Sequence, residues 1–441
     1  MRRTELVGSL YDLVTGDEDA RVCRDIPDAA CNDQPANFFL QLGAYVCNKI
    51  GDELASAKLV LPWLLAAAGA PAFFIGLLVP LRESLVLLPQ LFVAAAIRAR
   101  EVRKWFWVGG AVAQAVCVAA MAAAALLLEG AAAGWAVIGL LAVFSLARGV
   151  GSVAAKDVMG KTVSKTRRGT LTGYATAAAG LVTVVVGAWL QWRGGAGGAA
   201  GAAGLLLLAA GLWLLGAAFF AGLREEPGAT AGGGNAGRDA LRSLAILRTD
   251  APFRRFVITR ALLVSTALLV PFYAALAREV SDAGLGGLGA LLVAAGVAAT
   301  VSSGFWGRMA DRSSRDVLRL AAVFAGVLSL AVAGWHMAGA PILPAGIVVV
   351  GAFFLIGIAH AGVRIGRKTY LVDMATMETR ATYVAVSNTA IGAVLLAGGV
   401  FGIVAGVIGI APTIGLLGLF ALAGAAGAGR LDEVTREEPE S

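Results

Sequence analysis

Residues 105–128 read WFWVGGAVAQAVCVAAMAAAALLL, a run of 24 residues without a charged side chain. About 20 apolar residues are enough for an α-helix to cross the hydrocarbon core of a bilayer. Similar runs fill most of the chain. Because a bilayer offers no water to unpaired backbone groups, each run is expected to be helical. The sequence therefore predicts an all-α membrane protein.

The composition agrees with this class of protein. Of the 441 residues, 58% are hydrophobic and 15% are charged, and the mean hydropathy is +0.78. The charged fraction lies below that of soluble domains, which is about 25%. The 58 glycines suit closely packed membrane helices, whose backbones approach through small residues.

Twelve membrane spans are predicted, with a long polar interruption between the sixth and the seventh. The spans are residues 38–66, 73–97, 105–128, 134–157, 170–190, 200–222, 254–277, 286–306, 316–338, 343–364, 380–408 and 411–428. The chain is thereby divided into an N-terminal segment (1–36), a six-helix bundle (37–222), a linker (223–252), a second six-helix bundle (253–429) and a tail (430–441).

The formal charge of +7 does not call for a nucleic-acid partner, because the basic residues collect in alternate loops. Those loops carry Arg98, Arg100, Arg103, Lys104, Lys161, Lys165, Arg167, Arg168, Arg308, Arg312, Arg315, Arg319, Arg367, Lys368 and Arg380. Cytoplasmic loops are enriched in Lys and Arg. Both termini, the linker and these loops are therefore expected in the cytoplasm, with the protein in the inner membrane.

The N-terminal segment is acidic and is predicted to form a short interfacial helix followed by a tether. The first apolar run begins near Phe38 and is too late and too polar for a signal peptide, so the segment is expected to be retained. The cysteines are Cys23, Cys31, Cys47 and Cys117. They lack the spacing of metal ligands, and Cys23 and Cys31 are assigned to the reducing cytoplasm. Neither a metal site nor a disulfide framework is expected.

The two bundles are related by a repeat with one fixed offset of 212 residues. The matching pairs are Arg100/Arg312, Arg103/Arg315, Lys156/Lys368, Arg168/Arg380, Thr170/Thr382 and Gly180/Gly392. Loop arginines that recur in register indicate an internal duplication, and parallel repeats of this kind are typical of six-plus-six transporters.

The segment GRMADRSSR, residues 307–315, resembles the loop motif of the major facilitator superfamily between the second and third helix of a half. The matching positions are Gly307, Asp311, Arg312 and Arg315. The resemblance covers residues 37–429 and implies a pseudo-symmetric six-plus-six fold, with these residues and Arg100 and Arg103 in gating loops. The subfamily is not identified.

The first half departs from this motif. Its segment AAIRAREVRK, residues 95–104, keeps both arginines and Lys104 but has Ala95 for the glycine and Ala99 for the aspartate. We therefore expect a weak or differently built first-half gate. Arg148 resembles the family's buried arginine associated with proton coupling, and its repeat partner is His360. The fifth span lacks the proline of the drug antiporters, which disfavours a multidrug exporter.

The first predicted span carries a polar stripe with Lys49, Asp52 and Glu53 near the bilayer midplane. Ionisable side chains in the bilayer cost about 2.5–3.5 kcal/mol each on insertion scales, so they normally face a cavity or a partner. A substrate or proton site is the preferred interpretation. Two alternatives remain: Lys49 pairs statically with Asp52 or Glu53, or residues 48–58 form a loop and residues 59–79 form the span.

Helical geometry also suggests partners for the other buried charges. Lys58 faces away from Asp52, six residues earlier at about 100° per residue. With a rise of about 1.5 Å per residue, Glu83 in the second span lies at a similar depth to Lys58. We predict a Lys58–Glu83 pair and expect Arg82 to approach Asp52 or Glu53.

Three further ionisable residues complete the candidate substrate and proton-coupling site, namely Arg148, Arg260 and His360. Arg260 has a second interpretation, in which its side chain reaches the cytoplasmic surface. The buried cations outnumber the buried carboxylates, which favours an anionic or zwitterionic solute.

These features favour a secondary active transporter for a small solute, coupled to protons and working by alternating access. A carboxylate in a low-dielectric cavity is disfavoured in its charged form unless a cation lies beside it, so Asp52 or Glu53 is expected to carry the proton. Its protonation would release Lys49 or Arg82 to meet the solute. Apart from the proton, no cofactor is expected, the lipid bilayer is the other partner, and a monomer is the default.

The alternative is a non-transporting receptor or assembly factor that keeps the fold and acts through residues 1–36, since a fold does not fix a function. An enzyme is not expected. The sequence has no HExxH, no P-loop and no nucleophile elbow, and only two histidines.

Overall fold

The structure is a computed structural model. It describes residues 11, 28–87, 96–97, 99–193, 198–228, 244–280, 284–310, 312–339, 344–375 and 380–434.

The described part of the chain folds into α-helices. The first half contains α1 (Asp28–Leu54), α2 (Val60–Ala67), α3 (Ala72–Leu87), α4 (Lys104–Leu127), α5 (Gly130–Thr162), α6 (Lys165–Arg193) and α7 (Gly198–Ala221). The second half contains α8 (Ile246–Thr249), α9 (Ala251–Leu263), α10 (Ser265–Val280), α11 (Gly284–Ala310), α12 (Ser314–Ala338), α13 (Ala345–Asp373), α14 (Arg380–Ala397), α15 (Val400–Ile408) and α16 (Ile410–Ala428).

Ten helical segments among the described residues are long and apolar enough to cross a membrane. They are α4 to α7, α9 with α10, α11 to α13, α14 with α15, and α16. We assign the other two predicted crossings to α1 with α2, which the charged stripe makes less apolar, and to α3, which borders residues 88–95 outside the described ranges. The prediction of an all-α protein that crosses the membrane about twelve times is confirmed.

The first helix begins earlier than the sequence predicts. It starts at Asp28 and includes Pro35. The predicted tether is therefore wrong for residues 28–36, which are helical. Polar side chains near its start have partners in the fold. The Nδ2 of Asn37 donates to the backbone oxygen of Arg224 at 2.9 Å, and the Arg224 amide donates to Asn37 Oδ1 at 2.9 Å. The interfacial helix predicted before them lies largely outside the described residues.

One expectation about the cysteines is also wrong. Cys31 is disulfide-bonded, whereas Cys47 and Cys117 are free and buried. The expectation was based on the reducing compartment, which decides whether a disulfide persists. Whether two thiols can meet at all is decided by their distance in the fold.

The repeat seen in the sequence recurs in the helices. Ala72 and Gly284 begin α3 and α11, and Gly198 and Ile410 begin α7 and α16; each pair is 212 residues apart. The breaks differ between halves: α14 and α15 are separated at Gly398–Gly399, whereas α6, at the corresponding place, is continuous. The domain boundaries of the linker remain a prediction, because residues 229–243 lie outside the described ranges.

The two halves contact each other closely at one end of the bundle. We call this the opposite end, and the end with the arginine-rich loops the basic end. A Cβ on Gly76 in α3 would lie 2.2 Å from the Cα of Gly402 in α15, and a Cβ on Gly289 in α11 would lie 2.6 Å from the Gly187 oxygen in α6. No other residue fits such backbone contacts, so glycine lets the halves meet here.

Large apolar side chains cover the outer surface. Examples are Val116, Leu127, Trp135, Leu181 and Trp192, which are 61–84% exposed. A soluble protein rarely exposes contiguous apolar surface of this extent. The protein is a multi-pass membrane protein whose outer surface faces lipid.

Candidate functional site

A cavity of about 380 Å³ lies between the two halves. The first half lines it with α1, α3, α5 and the connection between α1 and α2, and the second half with α10, α11 and α13. Charged side chains alternate with apolar ones such as Val79, Val270 and Phe353. Ligand sites commonly combine an apolar wall with a few placed polar groups.

The break between α1 and α2 supplies several of the charged groups. After Leu54 the chain leaves the helix, and the Oγ of Ser56 accepts a hydrogen bond from the Lys58 amide at 3.3 Å. The Leu61 amide then donates to the Ser56 backbone oxygen at 2.9 Å. Irregular backbone at membrane depth is tolerated where it lines a cavity, and broken helices mark the binding sites of many transporters. The alternative in which residues 48–58 form a loop is wrong for residues 48–54, which belong to α1.

Asp52, near the end of α1, joins three helices of the first half. Its Oδ1 lies 3.0 Å from the Nη2 of Arg82 on α3, and its Oδ2 forms an ion pair with the Nη2 of Arg148 on α5. Arg148 also donates to Gln114 Oε1 at 3.4 Å, and the Arg82 guanidinium lies 4.5 Å from the centre of the Phe144 ring. The predicted approach of Arg82 to Asp52 is confirmed; the sequence did not reveal Arg148 as a second partner.

Lys58 pairs within its own half and reaches into the other. Its Nζ lies 3.6 Å from Glu83 Oε1, which confirms the predicted pair, and 3.5 Å from the Nε2 of His360 on α13. The Nδ1 of His360 lies 3.2 Å from the Oγ1 of Thr266 on α10. The Thr266 hydroxyl donates to the Leu263 oxygen at 2.9 Å. Because the ammonium can only donate, Nε2 accepts and Nδ1 carries the proton.

Glu53 and Arg364 also line the cavity, and both are exposed within it. Within the described residues, neither side chain has a hydrogen-bond or ion-pair partner. Arg364 was not among the predicted site residues, although it is the last residue of the predicted span 343–364. Its spacing of four from His360 places both on one helix face, and this signal is present in the sequence.

Two predicted site residues lie outside the cavity lining. Lys49 is half-buried one turn before Glu53, and it forms no ion pair with Asp52 or Glu53 in the described structure. Arg260 is 8% exposed and donates to Ser387 Oγ at 2.5 Å and Asn388 Oδ1 at 3.0 Å. Arg260 therefore connects α9 to α14, and its alternative placement at the cytoplasmic surface is wrong.

The first predicted gating loop is held by an acidic residue from beyond α7. Both carboxylate oxygens of Glu225 accept from the Arg103 amide, at 3.0 and 2.9 Å, and Oε2 accepts from the Lys104 amide at 2.7 Å. Arg103 pairs with Asp157 at 3.2 Å and donates to the Arg100 oxygen at 3.2 Å. Glu225 thus caps α4 with a carboxylate, in the half whose loop motif lacks the aspartate.

The second gating loop has a related arrangement after α16. Glu433 accepts from Ser313 Oγ at 2.6 Å and lies 3.6 Å from Nη2 of Arg315. Arg312 is exposed and Gly307 lies within α11 with open space beside its Cα. Asp311 lies outside the described residues. The loop sequences alone did not reveal Glu225 or Glu433, which are distant in the chain.

No protein-family model and no curated protein matches the chain. Solved structures do share its fold. A structure of a POT family transporter in complex with a thioalcohol-conjugated peptide is 12% identical and has a TM-score of 0.68, and the match covers 91% of this chain and 97% of that one.

Two further solved structures have the same architecture. The xylose transporter XylE from E. coli in an inward-open conformation is 12% identical with a TM-score of 0.63, and the match covers 89% of this chain and 95% of that one. The nucleoside transporter NupG is 14% identical with a TM-score of 0.60, and the corresponding shares are 89% and 98%. The chain thus has the fold of the major facilitator superfamily transporters, with no subfamily assigned.

Proposed function

We propose that this protein is a secondary active transporter that moves a small anionic or zwitterionic solute across the inner membrane, coupled to protons by alternating access. The observation that carries the proposal is the charged cavity between the halves. Ionisable groups at membrane depth are costly and normally serve a transport or relay role. The three solved structures described above are of transporters, and another that shares this fold is of a D-xylose–proton symporter.

The orientation follows from the charge of the loops. Placing the basic end in the cytoplasm satisfies the positive-inside rule. The glycine contacts Gly76–Gly402 and Gly187–Gly289 then close the cavity toward the outside. In this orientation, we assign the arrangement of the halves to an inward-facing state of the cycle.

Asp52 is the group that we assign to the proton. While charged, it holds Arg82 and Arg148 through its two oxygens. A protonated Asp52 would no longer neutralise these cations, so the ion pairs that join α1 to α3 and α5 would be lost. The two states of the site would then favour different arrangements of the halves, as coupling requires differential binding to two conformations.

The first test is thermal stabilisation of the purified protein by a panel of metabolites at two pH values, with Asp52→Asn measured in parallel. A ligand that binds the folded state raises the melting temperature by mass action. We expect a small charged solute to stabilise the wild type in a pH-dependent way and to lose this pH dependence in Asp52→Asn. The solute is then expected to enter proteoliposomes when a proton gradient is imposed, and not when a protonophore collapses it.

Other outcomes separate the parts of the proposal. If a solute binds and is transported without any effect of the proton gradient, transport stands and proton coupling fails. If no solute class stabilises the protein and Asp52→Asn is as stable as the wild type, transport itself fails. The non-transporting alternative, acting through residues 1–36, would then be the next to test.

A further inference from the structure

We propose that Glu53 and Arg364 are the two poles of the substrate site. Arg364 binds a carboxylate and Glu53 binds an ammonium group, so the solute is a zwitterion such as an amino acid or a short peptide. This inference rests on the proposed transport function and specifies the solute class.

The other charged side chains of the cavity lining have partners within the first half. Asp52 is shared by Arg82 and Arg148, and Lys58 pairs with Glu83. These five side chains therefore hold helices of the first half together. A solute that competed for them would have to break an existing ion pair.

Glu53 and Arg364 are different. Both are exposed in the cavity, and the described residues offer them neither an ion-pair partner nor a hydrogen bond. They have opposite charges and lie on opposite halves, on α1 and α13. An unpaired charge at membrane depth is unfavourable, and a zwitterion would neutralise both at once.

The surrounding charges orient the zwitterion. Arg367 and Lys368 follow Arg364 toward the basic end of α13, and the charges of Arg364, Arg367 and Lys49 all act on Lys368. This group of cations attracts a carboxylate and repels an ammonium group. On the other side the wall is apolar, with Val79, Val270 and Phe353. We therefore place the carboxylate toward the basic end and an apolar side chain toward the closed end.

Binding to both poles would also connect the halves. Glu53 belongs to the first half and Arg364 to the second, so a ligand that contacts both favours their approach at the basic end. A ligand with one charge would contact one half and have no such preference. The solute class and the conformational change are thereby linked through the same two side chains.

The test measures dissociation constants of purified protein for a panel of amino acids and dipeptides. The best binder is then compared with its N-acetyl form, which lacks the ammonium, and with its amide, which lacks the carboxylate. Wild type is expected to bind the zwitterion about tenfold or more tightly than either derivative, as for loss of one partner of a close charge pair. Comparing the affinities for amino acids with those for dipeptides shows which of the two kinds of zwitterion is the solute.

Glu53→Gln and Arg364→Gln should then show a crossed pattern. Glu53→Gln is expected to weaken binding of the zwitterion and the amide and to leave the N-acetyl form unaffected. Arg364→Gln is expected to weaken the zwitterion and the N-acetyl form and to spare the amide. The matched controls Glu226→Gln and Arg248→Gln, both exposed outside the cavity, should change none of these affinities. General misfolding would lower all three affinities and cannot produce the crossed pattern.

Three results would overturn the proposal. Equal effects of both substitutions on all three ligands, with melting temperatures equal to that of the wild type, would identify Glu53 and Arg364 as a gate pair rather than as poles. If a solute with one kind of charge is bound and taken up and no zwitterion is, the assignment of Glu53 and Arg364 as poles fails. The transport function then stands. Failure of every solute class in both binding and uptake would overturn the transport function together with the poles.

Discussion

The ammonium of Lys58 lies 3.5 Å from the Nε2 of His360, and this contact joins the two halves beside the cavity. Lys58 belongs to the broken first span and His360 to α13, 302 residues later in the chain. On its other side the imidazole faces Thr266. The tautomer of His360 is thereby fixed by partners from two different halves.

We predict that His360 is the Nδ1–H tautomer. The measurement is ¹⁵N NMR of histidine-labelled protein, which is simple to assign because the chain has only His336 and His360. His336→Gln should leave the Nδ1–H signal in place. Thr266→Val removes the acceptor of this proton and should weaken the preference for one tautomer. An Nε2–H signal from His360 in the wild type would contradict the Lys58 contact.

Asp52→Asn is expected to destabilise the protein because Arg82 and Arg148 lose their shared counter-charge. The free energy of unfolding in detergent micelles should fall by roughly 1.5–3 kcal/mol, as for loss of hydrogen bonds to a charged group. Adding Arg148→Gln should recover part of this loss, since it removes one of the two unpaired cations. The matched control on the same helix is Asp33→Asn.

Asp33 pairs at 2.7 Å with Arg224, whose side chain is 71% exposed. Exposed pairs contribute about 0.2–1 kcal/mol, so Asp33→Asn should have a smaller effect than Asp52→Asn. Equal effects of the two substitutions would show that Asp52 does not hold the arginines in the manner described.

Glu225→Ala is expected to cost about 0.5–2 kcal/mol, the range for loss of a helix cap, because it leaves the Arg103 and Lys104 amides without their acceptor. It also removes the partner of Lys161, whose Nζ lies 3.1 Å from Oε1. The adjacent Glu226 is exposed, and Glu226→Ala should change stability by less than about 0.5 kcal/mol. Thermal denaturation of the two variants side by side tests the cap, and similar melting temperatures would exclude it.

Gly402→Val should shift the protein away from the observed closure at the opposite end. A Cβ at this position would lie 2.4 Å from the Phe73 oxygen and 3.0 Å from the Cα of Gly76, so α3 and α15 must separate. Hydrogen–deuterium exchange is expected to increase at this end of both helices and to decrease at the basic end.

Gly406→Val is the matched control, because a Cβ on Gly406 of the same helix meets nothing within 4 Å. Its exchange pattern should equal that of the wild type. If Gly402→Val also leaves the exchange unchanged, the glycine contact does not control closure between the halves.

Part of the site followed from helix geometry alone. The Lys58–Glu83 pair was predictable because two neighbouring spans run in opposite directions, so residue counts set the depth of each side chain. The approach of Arg82 to Asp52 followed from the same reasoning. These predictions needed only the rise per residue and adjacency along the chain, both of which are local properties.

Only the folded structure showed the orientation of Arg364 and Arg260 and the contacts of Glu225. An apolar helix with small residues on all sides gives no period from which its rotation about its own axis can be read. Packing against neighbours turned Arg364 into the cavity and Arg260 toward Ser387 and Asn388. Glu225 reaches Arg103 from 122 residues away, a distance in sequence over which no local pattern carries information.

Hydropathy and the 212-residue offset were enough to establish the membrane class, the number of crossings and the internal repeat before any coordinates. A bilayer requires each span to satisfy its own backbone hydrogen bonds, and hydropathy therefore reports each helix independently of its partners. The folded bundle was needed to show that Arg148 shares Asp52 with Arg82, and that Glu53 and Arg364 face the cavity unpaired among the described residues. These relationships depend on helix rotation and on contacts between halves, which are set by packing rather than by the composition of any one span.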